Sequence, residues 1–253
     1  MTRWAYLDHP GPIPFAHRGG ASEHPENTMP AFEHAIRLGY RYVETDAHAT
    51  ADGTLVAFHD SILDRVTDRT GVISQLSWDA VSQARLGTDE AATGIPLMAE
   101  LLGTWPDVRV NIDLKHDASV APLVDLINRT RAHDRVCAAS FSGRRLDRFR
   151  RLSGGRVCTA LAPLEIARVR CAGYGVRPGR LAGACAQVPV REGRVLILDR
   201  RFLDGAHRLG LLVHVWTIDD RAEMERLLDL GVDGIMTDRP TLLKEVLVRR
   251  GLW

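Results

Sequence analysis

The stretch His17–Asp60 reads HRGGASEHPENTMPAFEHAIRLGYRYVETDAHATADGTLVAFHD and is the most informative part of this chain. Two of its histidines (His17 and His59), one arginine (Arg18) and a pair of carboxylates (Glu44 and Asp46) each lie beside a run of residues typical of a β-strand. Such groups can bind a metal ion, hold a phosphate and move protons on and off ester oxygens. Each motif alone indicates little, but their combination in this order is specific.

Along the whole chain, short strand-like runs alternate with longer segments of helical periodicity. The predicted strands are Ile13–His17, Tyr42–Asp46, Val108–Asp113, Val136–Ser140, Val157–Leu161, Ala184–Val188, Val195–Leu198, Leu211–Trp216 and Gly234–Thr237. The predicted helices are Thr28–Leu38, Ser119–Thr130, Arg144–Leu152, a short one near Pro163, Phe202–Leu209, Arg221–Leu230 and Pro240–Val248.

This alternation predicts a parallel sheet. About eight such units in 253 residues fit a (β/α)8 TIM barrel of the α/β class better than an open doubly wound sheet. The interval from about 47 to 94 is longer than the other connections and holds a further strand pair. We therefore predict a single barrel domain over residues 1–253, with a small insertion after the second strand.

Composition and charge narrow the class of protein. A net charge of +1 gives no overall electrostatic reason to expect binding to nucleic acid or to an anionic membrane. Residues 1–13 lack the features of a secretory signal, and no stretch approaches the roughly 20 apolar residues that cross a bilayer. The four cysteines have no Cys-x-x-Cys spacing, so we expect small buried thiols in a reducing compartment. These patterns predict a cytoplasmic protein without a transmembrane segment and leave the oligomeric state open.

Carboxylates end two neighbouring predicted strands. Glu44 and Asp46 end the second strand with i, i+2 spacing, which points both side chains the same way, and Asp113 ends the third. Because the strand ends of a barrel share one rim, these three can converge. Oxygen ligands suit a hard cation, so we predict one divalent ion, Mg²⁺ or Ca²⁺; the alternative is surface or capping carboxylates. Asn27 could either belong to a helix cap or touch the metal shell.

Basic and aromatic residues lie at or near the ends of predicted strands. His17 and His59 are the best acid–base candidates, because imidazole titrates near neutral pH, and Asp60 could orient His59. Lys115 is one of only two lysines among 33 basic residues, which indicates a place for a compact ammonium beside the carboxylates. Trp216 ends the predicted strand Leu211–Trp216 and is expected to line the site.

The chain resembles the glycerophosphodiester phosphodiesterase family over almost its whole length. The matching motifs are HRGG (17–20), PENT (25–28), ETD (44–46), DG (52–53), HD (59–60), NIDLK (111–115), WTI (216–218) and GVDGIMTD (231–238). The resemblance implies a (β/α)8 barrel with an insertion after the second strand and hydrolysis of phosphodiesters that bear glycerol. It also implies His17 and His59 as general acid and base, Glu44 and Asp46 as metal ligands, and Arg18 and Lys115 as neutralisers of phosphate charge. Relatives often have Glu at the position of Asp113, so this chain has a shorter reach there.

The expected reaction is metal-dependent hydrolysis of a glycerophosphodiester to glycerol 3-phosphate and an alcohol such as choline or ethanolamine. The nucleophile is either water or the glycerol 2-hydroxyl. One rival is a lysophospholipase D or sphingomyelinase D of the same fold, which needs an apolar rim; Leu55, Phe58, Ile62 and Leu63 are candidates but few. A non-catalytic protein that binds phosphate ligands ranks last, because both histidines are present.

Overall fold

The computed structural model describes residues 4–87 and 92–253. The described strands are β1 Ile13–Ala16, β2 Tyr42–Ala49, β3 Leu55–Ala57, β4 Arg85–Leu86, β5 Thr93–Gly94, β6 Arg109–Leu114, β7 Val136–Ala139, β8 Cys158–Thr159, β9 Cys185–Pro189, β10 Arg191–Glu192, β11 Val195–Leu196, β12 Leu212–Trp216 and β13 Gly234–Thr237. The described α-helices are α1 Met29–Arg37, α2 Trp78–Val81, α3 Met98–Thr104, α4 Val120–Thr130, α5 Gly143–Leu152, α6 Pro163–Ala172, α7 Arg200–Arg208, α8 Arg221–Leu230 and α9 Pro240–Arg249.

Within these two ranges, eight parallel strands form one sheet in the order β8-β7-β6-β2-β1-β13-β12-β9. The two ends of the sheet meet, because Ala160 bridges Cys185 and the N–H of Leu161 donates to the carbonyl of Cys185 at 2.9 Å. The sheet is therefore closed into a barrel, and the predicted (β/α)8 fold is confirmed. All eight strands end at one rim.

Two kinds of core hold the barrel. The interior of the barrel is filled by strand residues and by the N-terminal turn. This buried cluster includes Tyr6, Phe15, Tyr42, Cys137, Cys158 and Cys185. Other clusters join the outer strand faces to the helices, as where Val110 and Ile112 of β6 pack with Leu123 and Ile127 of α4. The prediction of buried thiols is confirmed for three cysteines, whereas Cys171 is exposed on α6.

The connection after β2 carries the extra elements that the sequence pattern predicted. Strand β2 continues past Asp46 to Ala49, and β3 pairs with it in the antiparallel sense. The pair β4–β5 and the one-turn helix α2 follow before α3 returns the chain to the barrel. Part of the predicted insertion, residues 88–91, lies outside the described residues, as do residues 1–3 of the predicted domain. The domain and insertion boundaries stay predictions.

The prediction that Val195–Leu198 forms a barrel strand is wrong. Only Val195 and Leu196 are extended, and they pair with Arg191 and Glu192 in a two-stranded hairpin outside the barrel. Gly193 turns the hairpin with φ +55°, a left-handed conformation that glycine adopts without strain. The four apolar residues resemble a buried strand in sequence, but both residues of β11 are exposed.

The turn after β1 carries the HRGG motif (17–20). His17–Gly19 form one turn of 3₁₀ helix, with Gly19 at φ +83°. A Cβ on Gly19 would lie 2.8 Å from the Cβ of Ala31 in α1, and one on Gly20 would lie 2.7 Å from the Cγ of Pro240 in α9. The two glycines therefore allow close packing on the starts of α1 and α9.

Candidate active site

A cavity of about 410 Å³ opens where the barrel strands end, and its lining is divided in two. Residues on or after β1, β2, β3 and β6 line one side, here called the polar half: His17, Arg18, Glu44, Asp46, His59, Asn111, Asp113 and Lys115. Residues after β7, β8 and β9 line the other side, here called the apolar half: Phe141, Leu161, Pro163, Ile166 and Ile197. All eight predicted site residues, including Trp216, line this one cavity.

His17 is held by a carboxylate from the neighbouring strand. Its Nδ1–H donates to Oδ1 of Asp238 at 2.6 Å, and Asp238 directly follows β13, which pairs with β1. The Asp238 backbone is fixed in turn, because its N–H donates to Oδ1 of Asp219 at 2.8 Å. This orientation leaves Nε2 of His17 for a ligand, 3.7 Å from Oε2 of Glu44.

His59 has the same arrangement on the opposite side of the polar half. Its Nδ1–H donates to Oδ1 of Asp60 at 2.6 Å. The other oxygen of Asp60 accepts from Nε of Arg65 at 2.5 Å, and Arg65 also donates to Glu26 at 2.6 and 3.1 Å. A chain of charged groups thus fixes the ring, and Nε2 of His59 remains for a ligand.

Arg18 joins the two sides of the polar half. It adopts φ +50°, and its N–H donates to Oε2 of Glu44 at 3.1 Å. Its Nη1 donates to Glu26 at 3.1 Å, while its Nε lies 3.5 Å from Oδ2 of Asp46 and has no hydrogen-bond partner although it is buried. A donor buried without a partner is costly, so this guanidinium is prepared for an additional acceptor.

The three predicted metal ligands lie together on β2 and β6. Asp46 and Asp113 are register partners on these strands, and Glu44 is two residues before Asp46. Nζ of Lys115 lies between the two aspartates, 2.9 Å from Oδ1 of Asp46 and 2.8 Å from Oδ2 of Asp113. Asn27 donates to Oδ2 of Asp46 at 2.9 Å and therefore orients that carboxylate. Thr28, not Asn27, caps α1.

Crowded buried charges shift the pKa values of these groups. Burial first, and then the charge of Asp46, raise the pKa of Glu44 to about 7. Burial also raises the pKa of Asp113, against the opposing effect of Lys115. For Asp46 the charges of Lys115 and Arg18 outweigh burial and lower the pKa. Burial alone would lower the pKa of His17, but Glu44 and Asp238 outweigh it and raise the pKa.

The polar half fits a hard cation in three respects. Its donors are carboxylate oxygens, which Mg²⁺ and Ca²⁺ prefer. Oδ1 of Asp113 is buried without a hydrogen-bond partner. Burial first, and then the charge of Asp46, raise the pKa of Glu44, and a bound cation would offset both effects. Among residues 4–87 and 92–253, however, no three His, Cys, Asp or Glu side chains are already arranged as a metal-ligand set. The ammonium of Lys115 lies between two of the predicted ligands instead.

Aromatic rings close the cavity between its halves. Phe141, two residues beyond β7, contacts Trp216 edge to face with the ring centroids 5.8 Å apart. Nζ of Lys115 lies 5.9 Å from the centroid of Phe141. Asn111 and Gln187 meet beneath them, where Nε2 of Gln187 donates to Oδ1 of Asn111 at 2.8 Å. Trp216 lines the cavity, and its contact with substrate stays a prediction.

Two groups of site residues were not predicted from the sequence. Asp238 lay inside a quoted motif but received no role; its position directly after the last strand was the available signal. Phe141 and the rest of the apolar half had no distinguishing pattern. Two other histidines do not line the cavity: His24 contacts the ring of His34, and His214 is buried inside the barrel.

Residues 17–242 match the glycerophosphoryl diester phosphodiesterase family. The chain belongs to this family. The predicted family is therefore confirmed, and so is the predicted enzyme class, a phosphoric diester hydrolase.

Similar proteins cover nearly the whole chain. It is 42% identical to the probable glycerophosphodiester phosphodiesterase 2 of Mycobacterium tuberculosis, over 98% of this chain and 95% of the relative. It is 26% identical to lysophospholipase D GDPD1 of Rattus norvegicus, over 92% of this chain and 85% of the relative. Its fold matches a phosphodiesterase of Oleispira antarctica, solved in complex with the product sn-glycerol-3-phosphate, with a TM-score of 0.81 and 22% identity over 97% of this chain and 100% of that chain.

In the described part of the chain, no helix is both long and apolar enough to cross a membrane. The cytoplasmic location and the absence of nucleic-acid binding stay predictions.

Proposed function

We propose that this enzyme hydrolyses glycerophosphodiesters to glycerol 3-phosphate and an alcohol, using one divalent cation and a pair of histidines. The observation that carries the proposal is the matched geometry of His17 and His59. Both line one cavity, and each ring has its Nδ1 bound to a carboxylate at 2.6 Å, which leaves Nε2 to exchange a proton. General acid–base pairs need this fixed tautomer and orientation.

The two histidines act in opposite protonation states. One neutral imidazole takes a proton from the nucleophile, either water or the glycerol 2-hydroxyl, as the new P–O bond forms. The other, protonated, gives its proton to the oxygen of the leaving alcohol as the old P–O bond breaks. With the 2-hydroxyl as nucleophile, water then opens the cyclic phosphate and the histidines exchange roles. Charge and protons balance by either route.

Arg18 and Lys115 neutralise the phosphate. The unpartnered Nε of Arg18 supplies a donor in the polar half. Lys115 is partly exposed to the cavity, and its single ammonium can move from the aspartates to a phosphoryl oxygen. Fixed cations in a site that excludes water stabilise the charge that develops during phosphoryl transfer.

Glu44, Asp46 and Asp113 would hold the cation, which is Mg²⁺ or Ca²⁺. When bound there, it would polarise the phosphoryl oxygens as a Lewis acid. Asn27 keeps Asp46 in place through its 2.9 Å hydrogen bond, and Lys115 must release both aspartates for them to serve as ligands.

The test is release of glycerol 3-phosphate from glycerophosphocholine and glycerophosphoethanolamine, measured with a coupled dehydrogenase, in the presence of Mg²⁺ or Ca²⁺. We expect turnover of at least one diester and none with the His17→Ala, His59→Ala double variant. Failure of the wild-type protein to cleave any glycerophosphodiester with either ion would overturn the proposal.

The apolar half favours a second candidate, lysophospholipase D activity. The four apolar residues considered in the insertion do not form a rim, because Leu55, Phe58 and Leu63 are buried and only Ile62 among them is exposed. Apolar lining comes instead from the loops after β7, β8 and β9, where it could accept an acyl chain. Choline release from lysophosphatidylcholine, compared with glycerophosphocholine at equal concentration, separates the two activities. Sphingomyelin in the same panel tests the sphingomyelinase D alternative, because it carries the same phosphocholine group on a ceramide. The rat relative is named as a lysophospholipase D.

A further inference from the structure

The most exposed large apolar side chains of the described residues lie beside the mouth of the active-site cavity. They are Phe141, Leu164 and Val195, which are 68%, 65% and 61% exposed. They belong to the segments after β7, β8 and β9, which are neighbours around the barrel. Because these strands end at the same rim, the three side chains share one side of the cavity mouth.

This apolar surface continues into the cavity. Phe141 itself lines the apolar half, and Leu164 lies between the lining residues Pro163 and Ile166 at the start of α6. Val195 pairs across the hairpin with Glu192, another lining residue, so both side chains point to the same face. Single exposed apolar residues are ordinary, but a group that extends a substrate cavity marks an interaction site.

Unpaired cations accompany the apolar side chains. Arg144, in the first turn of α5, and Arg194, beside Val195, are exposed. Neither side chain takes part in any hydrogen bond or ion pair with the described residues. Around them, residues 143–208 contain 15 arginines and five acidic residues, although the whole chain is nearly balanced at 33 basic and 32 acidic. The net charge of +1 therefore conceals a strongly basic side.

We propose that Phe141, Arg144, Leu164, Arg194 and Val195, here called the docking rim, bind an anionic phospholipid bilayer. Exposed apolar tips enter the boundary between headgroups and acyl chains, and arginines pair with lipid phosphates. An acidic protein partner would match the arginines but would not need three apolar tips beside a cavity that takes lipid-derived substrates. The proposal rests on the proposed function in one respect: docking would place the cavity mouth against the surface where phospholipid-derived diesters occur.

The experiment is co-sedimentation of the full chain with vesicles of phosphatidylglycerol and phosphatidylcholine, beside vesicles of phosphatidylcholine alone. We expect binding to the anionic vesicles that weakens as salt is raised, and much weaker binding to the zwitterionic ones. Arg144→Gln combined with Arg194→Gln should weaken anionic binding about 25-fold, since each basic residue near such a surface contributes about fivefold. Leu164→Ser combined with Val195→Ser should weaken it several-fold while preserving its salt dependence.

Matched controls come from the opposite end of the helices. Arg151→Gln is the control for the arginines, because Arg151 is exposed at the end of α5 and its side chain makes no hydrogen bond or ion pair with the described residues. Val248→Ser is the control for the apolar residues, because Val248 is 53% exposed near the end of α9. Both controls should bind vesicles like the wild-type protein. Absence of vesicle binding by the wild type, equal binding to both vesicle types, or equal losses in rim and control variants would each overturn the proposal.

Activity on a water-soluble diester separates this proposal from the proposed function. The rim variants leave the polar half intact, so their kcat/KM for glycerophosphocholine should match that of the wild type. A wild-type protein that cleaves glycerophosphocholine yet ignores anionic vesicles would refute only the docking rim. A protein that binds vesicles but cleaves no diester would refute only the proposed function.

Discussion

Asp238→Asn is the substitution that best isolates how the barrel prepares His17. The change keeps the size of the side chain but removes the charge that His17 contacts at 2.6 Å. The backbone stays anchored, because the N–H of residue 238 still donates to Asp219. A hydrogen bond to a charged group contributes about 1.5–3 kcal/mol, which corresponds to a loss of about 10- to 150-fold in kcat/KM if it is fully used in the transition state.

The pH dependence of kcat/KM gives a second test of the contact between Asp238 and His17. Asp238 and Glu44 raise the pKa of His17, so the ring stays protonated to a higher pH than burial alone would permit. Removing Asp238 lowers that pKa, and the limb of the pH–rate profile that belongs to His17 must therefore move to lower pH. Movement of the alkaline limb would identify His17 as the acid, and movement of the acidic limb would identify it as the base.

The assay is kcat/KM for glycerophosphocholine from pH 5 to 10 at a saturating concentration of the preferred cation. Asp233→Asn is the matched control, because Asp233 contacts His207 at 2.7 Å beside the opposite end of β13. That control should retain both limbs of the wild-type profile. An unchanged profile and near-normal rate in Asp238→Asn would refute the reasoning, because the carboxylate would then neither orient nor charge His17.

Three further expectations concern single positions. His17→Ala and His59→Ala should each lower kcat/KM by about 10²–10⁴ with unchanged circular dichroism, and near-normal turnover would remove the assigned role. Asp113→Glu should change the preference between Mg²⁺ and Ca²⁺, whereas Asp113→Asn should be far less active; equal titrations for all three proteins would mean that Asp113 is no ligand. Gly19→Ala should lower the urea midpoint more than Gly53→Ala, because both have φ near +82° but only Gly19 lacks room for a Cβ; equal losses would contradict this packing argument.

The sequence predicted the part of the site that depends on strand ends. His17 directly follows β1, and Glu44, Asp46 and Asp113 lie on β2 and β6. The patterns of these strands are visible in the sequence, and a parallel barrel brings their carboxyl-terminal parts to one rim. The role of Asp238 could not be predicted, because it depends on the pairing of the last strand with the first. Closure depends on sheet order, which local periodicity does not contain.

The exposure of apolar side chains could not be predicted from the sequence either. The run Val195–Leu198 has the composition of a buried strand, and the chain around Phe141 and Leu164 has no pattern of its own. Apolar residues normally lie inside a protein, so composition alone assigns them to the core. Only the structure shows that Val195 lies outside the barrel and that the apolar half of the cavity faces solvent.

The most direct test of the central claim is a cation titration of protein stripped of metal, with glycerol 3-phosphate release from glycerophosphocholine as the readout. We expect no turnover in the stripped protein and recovery that saturates at one Mg²⁺ or Ca²⁺ per chain. Asp46→Asn should lose most of that recovery, while Asp125→Asn, on the exposed face of α4, should not. Full activity of rigorously stripped wild-type protein, unaffected by chelator, would contradict the account.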